Sequence, residues 1–142
     1  MDPGRRSRTR TRVGGVVLVD DDEDTREMYA EALRADGFDV ESTQDADAAL
    51  LAIASMHPDI VVADYSLPGT DGFELCRLLK ANPVTESIPV ILITGYSGPT
   101  WESRAREAGA IRFLTKPLDP NGLVVALRAE LTNSSGQALR AC

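Results

Sequence analysis

Short apolar runs alternate along the chain with longer stretches in which apolar residues recur every three or four positions. Five runs are bounded by turn-forming residues and predict strands at 16–19, 38–42, 60–63, 90–93 and 110–114. Continuous apolar runs are typical of parallel strands that are buried on both faces.

The stretches that follow each run have the periodicity of amphipathic helices. Their apolar stripes consist of Met28, Ala32 and Leu33; Ala49, Leu50, Ile53 and Ala54; Phe73, Leu75, Cys76 and Leu79; Trp101, Ala105 and Ala108; and Leu123, Val124, Leu127 and Leu131. Predicted helix ends lie at Gly37, His57-Pro58, Asn82-Pro83 and Gly109. Five such units predict an α/β fold, namely a doubly wound (βα)5 domain with a five-stranded parallel sheet and helices on both faces.

Composition limits the class of protein. The chain has 142 residues, 43% of them hydrophobic and 26% charged, which suits one globular domain. No apolar run approaches the roughly 20 residues of a membrane helix, and no secretory signal follows the N-terminal arginines. Cys76 and Cys142 lack the spacing of a metal site, and Cys76 is expected to be a small buried residue. We therefore expect a cytoplasmic protein without a membrane span.

Charge is distributed unevenly along the chain. Five arginines lie within the first twelve residues, so residues 1–13 are predicted to form a basic flexible arm. Residues 13–142 hold 10 basic and 21 acidic side chains. A body this acidic repels polyphosphate, so we do not expect the folded part to bind nucleic acid. Residues 132–142 are predicted to form a polar C-terminal tail.

Chemically useful side chains stand where the predicted strands end. Asp20 and Asp21 follow the first strand, Asp64 the third, Thr94 the fourth and Lys116 the fifth. Open parallel sheets bind ligands at this edge. Carboxylates brought together there repel each other unless they share a proton or a hard cation, so they predict Mg²⁺, with Mn²⁺ as the alternative. Thr94 and Lys116 are suited to hold the oxygens of a phosphoryl group.

Four segments in this order closely resemble the receiver domain of two-component response regulators. They are Val17-Leu18-Val19-Asp20-Asp21, the run 64–72 (DYSLPGTDG), Thr94-Gly95 and Lys116-Pro117. The resemblance covers residues 14–131 and implies a flavodoxin-like sheet with strand order 2-1-3-4-5.

The resemblance also implies a role for each site residue. Asp64 is expected to accept a phosphoryl group from the phosphohistidine of a histidine kinase or a phosphotransfer protein. Asp21 is expected to bind Mg²⁺ directly, Asp20 mostly through water, and Ser66 through its backbone carbonyl. Lys116 is expected to neutralise charge on the transferred oxygens, and a cis peptide is expected between Lys116 and Pro117.

Three further positions are expected to act after phosphorylation. Thr94 and Phe113 form the switch pair, in which Thr94 turns inward to the phosphoryl group and Phe113 moves with it. Tyr96 lies where the family controls the access of water to the acyl phosphate. The resulting change is expected at the face formed by helix 4, strand 5 and helix 5, where an unidentified downstream protein would bind. This face is predicted to include Trp101, Arg104, Arg112 and Arg128.

The predicted function is a stand-alone receiver without an output domain, acting as a phosphorelay switch that slowly dephosphorylates itself and not as a metabolic enzyme. It is expected to be a monomer or a phosphorylation-dependent dimer. The alternatives are a fragment of a larger hybrid kinase or regulator, or a pseudo-receiver that binds partners without being phosphorylated.

Two other readings of the acidic run are weaker. Asp20, Asp22, Asp24 and Glu31 match the ligand positions of an EF-hand loop, but Thr25 stands where that loop needs glycine and the preceding segment is strand-like. A haloacid-dehalogenase-type phosphatase requires a second aspartate where this chain has Glu23. Asp22, Glu23 and Asp24 are expected to begin a helix, with Asp24 as its possible cap.

Overall fold

Five parallel strands and five helices alternate in a computed structural model that describes residues 13–141. The strands are β1 (Gly14–Val19), β2 (Phe38–Thr43), β3 (Ile60–Asp64), β4 (Val90–Thr94) and β5 (Arg112–Thr115). The helices are α1 (Glu23–Ala35), α2 (Ala46–Met56), α3 (Gly72–Ala81), α4 (Pro99–Ala108) and α5 (Pro120–Ala141). The predicted α/β class is confirmed. The basic arm predicted for residues 1–13 lies outside the described residues except for Val13.

The strands form one sheet in the order β2-β1-β3-β4-β5, as the resemblance implied. Asp64 pairs with Ile93, and Thr94 pairs with Thr115. Because all the strands run in the same direction, their last residues meet at one edge of the sheet.

Alternate residues of each strand are buried on opposite faces of the sheet. Val17 and Val19 of β1 belong to the core layer that contains residues of α2, α3 and α4, whereas Val16 and Leu18 belong to the layer that contains residues of α1 and α5. This two-sided burial explains why the strands read as continuous apolar runs, and it holds the carboxyl edge of the sheet rigidly.

The apolar stripe of α1 differs from the predicted one. Met28 is exposed, while Tyr29, Ala30 and Leu33 are buried. The Tyr29 ring lies in the core because its hydroxyl donates to the carbonyl of Leu118, 3.2 Å away. A tyrosine with a bonded hydroxyl can be buried as fully as an aliphatic residue.

Two element boundaries also differ from the predictions. β5 begins at Arg112 and not at 110, because the amide of Ala110 still donates to the carbonyl of Ala105 in closing α4. Helix α5 continues to Ala141, across the segment predicted as a polar tail. No proline follows Pro120, so nothing removes a backbone donor from this helix.

Each outer strand of the sheet is joined to a neighbouring helix by an arginine side chain. Arg34 of α1 donates to the carbonyl of Val40 in β2 at 2.9 Å. Arg112 of β5 pairs with Glu130 of α5 at 2.7 Å.

Within the described part of the chain, no helix combines the length and the apolar character that crossing a membrane requires.

Candidate functional site

The sheet brings the predicted site residues together at its carboxyl edge. Asp20 directly follows β1, Asp64 ends β3, Thr94 ends β4 and Lys116 directly follows β5. Asp20, Asp64 and Thr94 are at most 6% exposed, although each is polar. Burying three polar side chains at one edge is costly unless they bind one another or a ligand.

Three carboxylates form a cluster at this edge. Asp20, Asp21 and Asp64 each offer an oxygen within 4.8 Å of the others, and Asp21 is open to solvent. Hard carboxylate oxygens converging from β3 and the β1–α1 loop suit a small divalent cation with room for water ligands. The residues present therefore fit Mg²⁺ or Mn²⁺.

Burial alters the protonation of the two inner carboxyl groups. It raises the pKa of Asp64 to about 6, and the negative charges of Asp20 and Asp21 act in the same direction, while Lys116 opposes them. Burial also raises the pKa of Asp20, against the stabilising hydrogen bond from the Asp22 amide. The cluster thus holds more negative charge than one lysine neutralises.

Lys116 reaches across the site to both inner acids. Its Nζ lies 3.4 Å from Asp64 Oδ1 and 3.5 Å from Asp20 Oδ2. Burial by itself lowers the pKa of this ammonium, but the charges of Asp64 and Asp20 outweigh it and raise the pKa. The amide of Lys116 donates to the carbonyl of Thr94, and the peptide to Pro117 is cis, as the resemblance implied.

The β1–α1 loop is organised around Asp20. The Asp22 amide donates to Asp20 Oδ1 at 2.9 Å, and Arg26 donates to the Asp20 carbonyl at 2.8 Å. Asp22, not Asp24, caps α1 by accepting from the Thr25 amide. Hydrogen bonds from the Thr25 hydroxyl and the Thr25 amide lower the pKa of Asp22. The expectation that Asp22, Glu23 and Asp24 begin a helix is confirmed, since Asp22 caps α1 and the other two lie in its first turn. This geometry gives the EF-hand reading no support.

The loop after Asp64 turns closely beneath the site. The amide of Tyr65 donates to Ile93 in β4, and the Gly72 amide donates to the Tyr65 carbonyl. A Cβ on Gly72 would lie 2.5 Å from the Asp64 carbonyl oxygen, so only glycine fits. Ser66 is exposed in this loop, and its carbonyl's role as a metal ligand stays a prediction.

The two predicted switch residues occupy different environments. Thr94 is 1% exposed, and its Oγ1 accepts a hydrogen bond from the Tyr96 amide at 3.0 Å. Phe113 is half-buried and packs against the core beneath α2, α3 and α4. Their joint movement stays a prediction.

A cluster of four aromatic rings beside the site was not predicted from the sequence. Tyr65 directly follows Asp64, and Tyr96 lies two residues after Thr94. The rings of these two tyrosines and of Phe73 surround Trp101 of α4. The sequence does carry a signal, because both tyrosines follow strand ends that the fold places side by side. Nothing local indicates that Trp101 reaches both.

Most of the residues predicted for the helix 4–strand 5–helix 5 face lie elsewhere. Arg104 lies 4.7 Å from the Phe73 ring centroid, so it and Trp101 turn toward α3. Arg128 binds Asp36 at the end of α1. Assigning them to that face was wrong because helical periodicity does not show which neighbour a face meets. Arg112, paired with α5, does lie there.

Comparison with known proteins agrees with this arrangement. The model of the response regulator receiver domain matches residues 16–128. The chain belongs to this family. The receiver domain resembles PhoB, the phosphate regulon transcriptional regulatory protein of Pseudomonas aeruginosa, with 36% identity over 82% of this chain and 51% of PhoB. It resembles the response regulator PleD of Caulobacter vibrioides with 39% identity over 80% of this chain and 25% of PleD.

Solved structures show the same fold. A putative response regulator from Chloroflexus aurantiacus matches with a TM-score of 0.79 and 32% identity, covering 84% of this chain and 98% of that one. The chemotaxis response regulator CheY4 of Vibrio cholerae matches with a TM-score of 0.77 and 26% identity, covering 81% and 96%. The chain spans about half of PhoB and a quarter of PleD, which are longer proteins.

Proposed function

We propose that this receiver domain accepts a phosphoryl group on Asp64 in a Mg²⁺-dependent reaction. The observation that carries the proposal is the pairing of a buried carboxylate with Lys116 Nζ at 3.4 Å inside a cluster of three acids. A structural ion pair needs one acid, whereas this site gathers two more whose repulsion costs stability. Such an excess of negative charge is explained by ligand binding.

The proposed reaction is a phosphoryl transfer between protein side chains. An Asp64 carboxylate oxygen attacks the phosphorus of a phosphohistidine, the bond between phosphorus and the imidazole nitrogen breaks, and the imidazole leaves with the electron pair. The product is an acyl phosphate on Asp64. A histidine kinase or a histidine phosphotransfer protein supplies the phosphohistidine.

Asp20, Asp21 and Asp64 would hold the metal ion, with Ser66 adding its backbone carbonyl. When bound, the ion offsets negative charge on the cluster and on the transferred phosphoryl oxygens. Mn²⁺ offers the same oxygen coordination and is the alternative ion.

Lys116 and Thr94 contact the transferred group in this proposal. The Lys116 ammonium already lies beside Asp64 and stays positively charged, so it neutralises a phosphoryl oxygen without moving far. The Thr94 hydroxyl turns from the Tyr96 amide to a phosphoryl oxygen, and Phe113 moves into the space beside β5. Tyr96 limits the access of water to the acyl phosphate.

The signal is read at the face of α4, β5 and α5. Phe113 and Arg112 of β5 line a cavity there together with Glu102, Ala105, Arg106 and Ile111. A downstream protein, or a second copy in a phosphorylation-dependent dimer, would bind this face in the cytoplasm. The stand-alone arrangement stays a prediction.

Labelling with acetyl phosphate and Mg²⁺, followed by intact-mass spectrometry, tests the proposal. We expect one added phosphoryl group on the wild type and none on Asp64→Ala. Glu31→Gln, which changes an exposed acid of α1, serves as the matched control and should be labelled normally. Equal labelling of wild type and Asp64→Ala would refute the assignment, and no labelling of the wild type would favour the pseudo-receiver.

Metal titration tests the order of the two acids. Asp21→Ala should weaken Mg²⁺ binding more than Asp22→Ala does, because the Asp22 side chain is engaged in capping α1. The reverse order would contradict the ligand set.

A further inference from the structure

The Tyr96 side chain lies against Trp101 of α4. The two rings are stacked, with centroids 4.5 Å apart and planes 10° from parallel. Tyr96 is nevertheless 54% exposed, and its ring meets two others, Trp101 in this stack and Tyr65, whose centroid lies 6.2 Å away. The orientation of Tyr96 therefore depends on Trp101.

Trp101 itself is held from several sides. Tyr65 meets it edge-on at 5.1 Å, the Phe73 ring lies at 5.9 Å, and the Arg104 guanidinium lies 4.8 Å from its centroid. Cation–π and aromatic contacts of this kind add to the burial energy. Trp101 is thus the fixed partner of the stack, and Tyr96 is the partner that can leave.

The two tyrosines that contact Trp101 belong to the loops that follow Asp64 and Thr94. Tyr65 directly follows Asp64, and its amide donates to Ile93 at 2.7 Å, which fixes the β3–α3 loop against β4. Tyr96 follows Thr94 by two residues and donates its amide to that hydroxyl. Trp101 is therefore packed on loops that come from both sides of the site.

We infer that Trp101 is a positioning residue that lengthens the life of the acyl phosphate by holding Tyr96 beside Asp64. The inference rests on the proposed function. In the reaction it slows, water attacks phosphorus, the bond between phosphorus and the Asp64 oxygen breaks, and the carboxylate and dihydrogen phosphate are released. Without the stack, the Tyr96 ring gains rotamers that leave this approach open, and water reaches the phosphorus more often.

The experiment measures the first-order rate of dephosphorylation after acetyl phosphate is removed. The proteins compared are the wild type, Trp101→Ala, Trp101→Phe, Tyr96→Ala and the double variant Tyr96→Ala/Trp101→Ala. Loss of a ring stack shifts an equilibrium by about two- to tenfold, so Trp101→Ala should speed dephosphorylation by about threefold or more. Trp101→Phe, which can still stack, should restore most of the wild-type lifetime.

The double variant separates positioning from general damage. If Trp101 acts through Tyr96, removing Trp101 from the Tyr96→Ala protein should change the rate little. Ile88→Ala is the matched control: Ile88 is also half-buried and packs on the same core layer, but it precedes β4 at the opposite edge of the sheet. This variant should keep the wild-type lifetime.

Each outcome bears on a different statement. An unchanged lifetime in Trp101→Ala, or rate increases that multiply in the double variant, would overturn the inference while leaving phosphorylation of Asp64 intact. Failure of every protein to be labelled would instead overturn the proposed function. Should Trp101→Ala not fold, Trp101→Phe against Trp101→Leu gives the same contrast between a ring and an aliphatic side chain, and equal lifetimes in that pair would also overturn it.

Discussion

Neutralising Asp64 should stabilise the metal-free receiver domain. The folded state raises the pKa of this carboxyl from 3.8 to about 6, chiefly through burial. An acid with a raised pKa binds its proton more tightly in the folded state, so the free energy of unfolding falls as pH rises between 3.8 and about 6 and stays lowered above that window. Asparagine has the shape of the protonated acid but does not ionise, so Asp64→Asn avoids this fall in the free energy of unfolding.

The size of the effect follows from the shift. Each pKa unit corresponds to about 1.4 kcal/mol, so a shift of roughly two units sets an upper limit of about 3 kcal/mol at pH 7. We expect Asp64→Asn to raise the free energy of unfolding by about 1 to 3 kcal/mol in EDTA. The gain should shrink as pH is lowered toward 3.8, where the wild-type carboxyl is protonated in both states.

Urea unfolding followed by the fluorescence of Trp101, the sole tryptophan, measures this directly. Added Mg²⁺ should narrow the difference in unfolding free energy between Asp64→Asn and wild type, because an ion that binds the folded wild type stabilises it by mass action. Glu31→Gln controls for the loss of one surface charge and should change stability by less than about 0.5 kcal/mol. An Asp64→Asn protein that is less stable than wild type at pH 7 in EDTA, or equally stabilised at pH 4 and pH 7, would refute the reasoning.

Three further predictions concern buried positions. Gly72→Ala should lower stability and phosphorylation together, because the new Cβ would displace the backbone of Asp64; normal labelling by acetyl phosphate would contradict this. Burial raises the pKa of the Cys76 thiol to about 11, so in a Cys142→Ser background a thiol reagent at pH 8 should react only after denaturant is added, and rapid reaction of the native protein would show that the thiol is accessible. Leu123→Ala, at a fully buried position of α5, should cost about 2 to 5 kcal/mol in urea unfolding, and a loss below 1 kcal/mol would mean that this face is loosely packed.

The fold and the inner site could be predicted from the sequence because both are encoded locally. Apolar runs mark the strands, and four site residues stand within one position of a strand end, where parallel geometry brings the ends together: Asp20, Asp64, Thr94 and Lys116. Asp64 and Lys116, 52 residues apart in the chain, were placed at one edge by that rule, and the structure sets them 3.4 Å apart. Such positions need no knowledge of side-chain packing.

What sequence could not provide depends on how helices turn toward their neighbours. The apolar periodicity of α1 is compatible with either Met28 or Tyr29 facing the core. The hydrogen bond from the Tyr29 hydroxyl to the Leu118 carbonyl favours Tyr29. Arg128 looks like a residue of the output face until its contact with Asp36 shows it beside α1. These choices rest on contacts between segments far apart in sequence, which periodicity does not record.

The bond from Arg34 to the carbonyl of Val40 has a consequence for self-association. An outermost strand with open backbone acceptors invites another chain to add to it and begin a cross-β stack. Here a guanidinium occupies one acceptor, and the alternate positions Asp39 and Glu41 of the same strand are exposed acids that repel a like strand. Concentrated protein should therefore resist lateral strand addition and fibril growth at this border.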